Sequence, residues 1–126
     1  DRAGNTMTDL KPQVIDAHAQ VFSTILDQAK SCPEVPDLFY YRIFEAYKFS
    51  FYQLRRIKGT PEEKQAHAEV LYGLVKKLMP YRSAILQGME RFGYTGNRER
   101  LKDKLVLTSF LSHPVYRRWV KSFVKE

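Results

Sequence analysis

Eight of the chain's 17 aromatic residues fall within 14 positions, from Phe39 to Tyr52, in the segment DLFYYRIFEAYKFSFYQLRRIKG. The spacing is helical, and a helix does not need so many rings to make one buried stripe. This segment must therefore be the hub of a core, part of a binding surface, or both. Helical angle divides it. Phe39, Tyr40, Ile43, Phe44, Tyr47, Phe51, Leu54 and Ile57 gather on one wide face and read as core. Tyr41 and Tyr52 project with Lys48 and Arg55 on the opposite side, and Phe49 falls near Leu38, Arg42 and Arg56.

The rest of the chain is punctuated for helices. Pro12 suits the first turn of a helix reaching about Lys30. Its stripe is Val14, Ala17, Val21, Ile25 and Gln28, widened by Ile15, Phe22, Leu26 and Ala29. Pro33 and Pro36 break the chain, and Asp37 can cap the aromatic helix. That helix is expected over about 38–58, with Arg55, Arg56 and Lys58 complementing its dipole and Gly59 closing it. Thr60-Pro61-Glu62-Glu63 is the strongest local signal: Thr at the N-cap, Pro at N1 and Glu at N3 form a capping box. A third helix must start there, with Ala66, Val70, Leu71, Leu74, Val75 and Leu78 as its apolar face. Pro80 ends it, and Tyr81, Ala84, Ile85, Met89 and Phe92 mark a fourth over about 81–92. Asn97 can cap a fifth helix through Leu111. Ser112-His113-Pro114 opens a sixth, in which Val115, Tyr116, Trp119, Val120 and Phe123 share a face that reads as core. No alternation of period two occurs. The expected fold is all-α, a compact bundle of five to six short helices in a single domain over residues 11–126, behind a flexible leader at residues 1–10. No self-similar residues support a solenoid of helical hairpins.

Composition narrows the class of protein. A chain of 126 residues that is 44% apolar can bury a self-sufficient core, and no run approaches the ~18 apolar residues of a membrane span. The chain opens at Asp1 with the small polar run DRAGNTMT, unlike a signal or transit peptide, so it reads as an excised domain or a processed product. Cys32 is the single cysteine, which rules out an internal disulfide and favours an intracellular setting, cytoplasm or nucleus. The net charge of +7 is uneven: residues 1–63 hold 8 Lys/Arg against 9 Asp/Glu, and residues 64–126 hold 13 against 5. That asymmetry would attract phosphate, an acidic protein or an anionic surface.

Motifs for chemistry are missing. Glu63 and His67 lie four apart on one helical face, but two ligands do not make a metal site, and the Glu-x-x-His pairs of di-iron bundles are absent. His67-Ala68-Glu69 lacks the Pro-Cys-x-x-Cys half of a zinc deaminase signature. Cys32 has no nearby histidine, and no serine sits in a Gly-x-Ser-x-Gly turn. Gly93-Tyr94-Thr95-Gly96 has the spacing by which KH domains grip a nucleic-acid backbone. It lacks their sheet and their basic residue between the glycines, and reads as a helix stop and a turn. No enzyme, cofactor or metal is expected.

The expectation is a non-enzymatic helical module, an adaptor or scaffold, that binds a protein partner, for which an acidic surface would suit the charge. Partner contacts are expected from Tyr41, Lys48, Phe49, Tyr52, Arg55 and Arg56, because Tyr and Arg anchor protein hot spots. Anion contacts are expected from Arg98, Arg100, Arg117, Arg118 and Lys121. The alternative is a nucleic-acid-binding domain whose basic C-terminal half contacts phosphates. A membrane partner is not favoured.

Overall fold

The computed structural model describes residues 11–93, 96–109 and 112–124, and within them every segment of helical periodicity is a helix. These are α1 (Gln13–Ala29), α2 (Asp37–Gln53), α3 (Pro61–Leu78), α4 (Arg82–Phe92), α5 (Asn97–Ser109) and α6 (His113–Phe123). The described residues contain no strand. The leader at 1–10, Tyr94 and Thr95 of the Gly-x-x-Gly run, and the fifth helix's expected end at Leu111 lie outside the described residues.

The boundaries follow local chemistry. At the start of α3, Glu63 N–H donates to Thr60 Oγ1 at 3.1 Å and Thr60 N–H donates to Glu63 Oε1 at 2.8 Å, so the box closes in both directions. Pro80 breaks the chain into a single 3₁₀ turn, Met79–Tyr81, between α3 and α4. The aromatic helix stops earlier than expected. It ends at Gln53, and the next residues turn through Leu54 N–H to Phe51 O and Ile57 N–H to Gln53 O, which sinks Leu54 and Ile57 into the core. Arg55, Arg56 and Lys58 therefore lie past the helix rather than in its last turn. Gly59 has φ +142°, a conformation that other residues rarely adopt.

α2 is the hub, packed against α1, α3 and α4; α1 also lies along α3, and α6 docks on α3. Tyr40, Ile43, Phe44, Tyr47, Phe51, Leu54 and Ile57 are buried as the helical angle requires, and Phe39 is partly buried. One ring breaks the division: Tyr41, expected on a binding surface, is fully buried. The reason is Gly88. With no side chain there, α4 closes directly over Tyr41, and a β-carbon on Gly88 would lie 2.6 Å from Tyr41 Cβ. A second helix thus covers the other side of α2.

Three faces are rotated from their expected centres. In α1 the buried set is Ile15, Ala19, Leu26 and Ala29, while Val14 and Val21 are exposed. In α3, Tyr72 and Ala68 replace Val70 and Ala66 on the buried side. In α6, Tyr116 and Val120 are buried but Trp119, expected in the core, is about one-third exposed. The Tyr116 hydroxyl donates to the Ala68 carbonyl at 2.6 Å, and this fixes the rotation of α6 so that Trp119 turns towards α5. Phe92, expected on the buried face of α4, is half exposed at its end.

Candidate partner-binding groove

α2, α5 and α6 converge on one surface. The last turns of α2 supply Lys48, Phe51 and Tyr52, with Arg55 just beyond; α5 supplies Lys102 and Val106; α6 supplies Arg118, Trp119, Ser122 and Phe123. With buried Tyr47 they line a groove of ≈ 520 Å³. Four of these residues are cations and none is a carboxylate.

The groove is held in shape from within. Phe51 and Phe123 stack with centroids 4.9 Å apart, and Tyr52 packs beside Phe123 at 6.0 Å. Arg55 Nε donates to the Phe123 carbonyl at 2.8 Å while its guanidinium lies over the Phe123 ring at 4.3 Å, which ties the end of α2 to the end of α6. Lys102 Nζ stands over the Tyr52 ring at 5.4 Å, a cation–π contact that joins α5 to α2. Beneath it, Lys48 Nζ donates to Asp103 Oδ2 at 2.8 Å, with Asp103 almost wholly buried. Among the described side chains of α5, Asp103 and Leu107 are the buried ones and Val106 is partly buried against the core, so this ion pair and two apolar residues seat that helix.

The site residues expected from sequence divide accordingly. Lys48, Tyr52 and Arg55 meet in the groove and are joined by Arg118 from the anion-binding set. Phe49 is exposed on another side of α2, near Val14 and His18, and Arg56 is exposed outside the groove. Arg100 pairs with Glu90 at 3.7 Å and Arg117 with Glu69 at 3.3 Å. Lys121 faces a depression of mixed sign that also contains Glu62 and Glu69. Arg98 is exposed on α5. The anion-binding set is thus scattered, and its two paired members, Arg100 and Arg117, each join two helices of the bundle. Lys102, Val106 and Trp119 also line the groove and lie outside the partner contacts expected from sequence. The one-turn spacing of Lys102 and Val106 was available in the sequence, but which way α5 would face was not.

The histidines are interhelical ties. His67 Nδ1 donates to Asp16 Oδ1 at 2.9 Å, joining α3 to α1, and His113 Nε2 donates to Glu69 Oε1 at 2.8 Å, joining α6 to α3. His113 also stacks on Tyr72 with centroids 4.2 Å apart. His18 Nδ1 lies 3.4 Å from Ser50 Oγ. Glu63 is occupied with the α3 cap, so the expected Glu63–His67 pair gives way to Asp16–His67. Among the described residues no group of three or more His, Cys, Asp and Glu side chains could hold a metal ion. Burial pushes the phenols of Tyr47 and Tyr116 well above the ordinary tyrosine range, which removes both as acid–base groups near neutrality. None of the described helices is long and apolar enough to cross a membrane.

Comparison with protein-family models, with curated proteins and with solved structures returned no match.

Proposed function

We propose that the chain is a non-enzymatic helical interaction module that docks an acidic segment of a protein partner in the groove between α2, α5 and α6, in an intracellular setting. The observation that carries this reading is the lining itself: Lys48, Arg55, Lys102 and Arg118 around Tyr52, Trp119 and Phe123, with no carboxylate among them. Partly exposed aromatic rings beside arginine are the residues that most often anchor protein interfaces. Lys102 and Arg118 form no ion pair with a described residue, whereas Lys48, Lys77, Arg100 and Arg117 do. A partner's carboxylates would complete those two cations at little cost in broken pairs.

The test is selection of a random-peptide display library on the wild-type domain, with parallel selection on a Trp119→Ala/Arg118→Glu variant of unchanged melting temperature. Enrichment of acidic, apolar peptides on the wild type and their loss on the variant is the expected result. Equal enrichment on both would place recognition elsewhere and sink the reading.

A second reading is favoured by the same rings and cations: Tyr52 and Trp119 could stack bases while Lys102 and Arg118 hold phosphates. Titration with single- and double-stranded oligonucleotides at two salt concentrations separates the two. A nucleic-acid site would lose affinity steeply as salt rises.

A further inference from the structure

We infer that the segment taken by this groove is an amphipathic α-helix with carboxylates along its flanks, an inference that rests on the reading of the groove as a docking site. Three observations carry it. The first is the arrangement of the walls. α6 presents Trp119 and Phe123 one helical turn apart, with Arg118 and Ser122 beside them; α5 presents Lys102 and Val106 one turn apart. Rows spaced by four residues are the ridges into which the side chains of another helix interdigitate. The second is an apolar surface that continues over the outside of α5. Leu101 and Leu105, again one turn apart, are about 60% and 50% exposed and sit beside the Lys102 and Val106 row, with Arg98 on the same outer face. Leucines and cations thus alternate along that helix, as a partner with leucine-like side chains flanked by carboxylates would require.

The third observation is the packing of α5 and α6. Consecutive short helices in a bundle ordinarily lie against each other. Here α5 has its closest backbone approach to α4 and α6 to α3, and α5 and α6 face each other through Val106 and Trp119. The space between them is the groove. It is open along the side between two helices, and the described residues contain no β-strand to which an extended peptide could add.

The experiment uses the whole chain and three synthetic peptides of roughly 15 residues, about four helical turns. The first carries Leu and Phe at i, i+3, i+4 and i+7 with Glu on both flanks. A second has the same composition with its apolar residues permuted off one helical face, and a third replaces Glu by Lys. Trp119 is the single tryptophan of the chain, so its emission reports binding in the groove directly, and circular dichroism reports helix gained by the peptide. The first peptide is expected to bind with a change in Trp119 emission and a gain of helix. The permuted and lysine peptides should each bind at least about tenfold more weakly. Equal binding of the permuted peptide, or binding without helix gain, overturns the helical occupant while leaving an acidic docking site in place. Equal binding of the lysine peptide overturns the acidic flank. If none of the three binds, the inference fails, and the display selection then decides separately whether the groove is a docking site.

Discussion

Gly88 of α4 seats against Tyr41 of α2 so closely that a β-carbon on the glycine would stand 2.6 Å from Tyr41 Cβ and 3.2 Å from the Asp37 carbonyl oxygen. Neither atom can swing away, because one is backbone and the other is fixed to it. Gly88→Ala should therefore be destabilising: overpacking costs about 1–3 kcal/mol, against a helix-propensity gain of about 1 kcal/mol. Gly73 of α3 is the control, since a β-carbon there meets nothing within 4 Å. Gly73→Ala should raise stability by about 0.5–1 kcal/mol in the same urea titration. A stabilised Gly88→Ala variant would mean that α4 does not close over Tyr41.

The three rings that the aromatic segment left over after its core stripe should behave differently from one another. Tyr41→Ala empties a fully buried site and should cost about 3–5 kcal/mol. Phe49→Ala removes a ring that is mostly exposed, so its effect should stay within about 1 kcal/mol. Tyr52→Ala loses the ring contacts to Phe51 and Phe123 and the Lys102 ammonium at an exposed position, so it too should fold, with its deficit appearing in peptide binding. Thermal melts of the three variants side by side make the comparison.

How far these outcomes were legible in the sequence depends on the range of the interaction. The capping box at Thr60, the break at Pro80 and the aromatic stripe of α2 are set by neighbours within one or two turns, and the structure agrees with all three. The placement of Tyr41 is set by Gly88, 47 residues away, and a glycine carries no periodic signal that it marks a close approach. Val14 and Val21 misled for a related reason: a helix with apolar residues on more than half its circumference does not state which part its neighbour covers. The groove was half visible. Lys48 and Tyr52 lie on the aromatic helix and Arg55 just past its end, whereas Arg118 reaches them from α6, whose rotation is set by long-range ties such as the Tyr116 hydroxyl to the Ala68 carbonyl and His113 to Glu69.

Lys48 and Asp103 should prove to be the pair that seats α5. The Asp103 side chain is nearly inaccessible and the Lys48 side chain is only 12% exposed, so removing either partner leaves a charge with little water around it. Asp103→Ala should lose stability towards the lower end of about 3–5 kcal/mol, whereas the double replacement Lys48→Met/Asp103→Leu should recover most of it. Amide exchange along α5 separates local from global effects. Faster exchange there in Asp103→Ala than elsewhere in the bundle would show that the pair holds the Lys102 and Val106 wall of the groove.

Alkaline pH should unfold the protein through its buried phenols. Tyr47 and Tyr116 are kept protonated by burial, each raised above the 10.0 of an ordinary tyrosine. The folded state therefore holds protons that the unfolded chain releases near pH 10. The sign follows: stability is complete below about pH 10 and falls as pH rises beyond it, because the unfolded state then binds fewer protons than the folded one. Tyr116→Phe removes one of the two groups and should make that fall shallower. At neutral pH the same change deletes the 2.6 Å bond to the Ala68 carbonyl, at a cost of about 0.5–1.5 kcal/mol. The two stability profiles should therefore converge as pH rises above 10. Parallel curves for wild type and variant would show that Tyr116 is not buried as a neutral phenol.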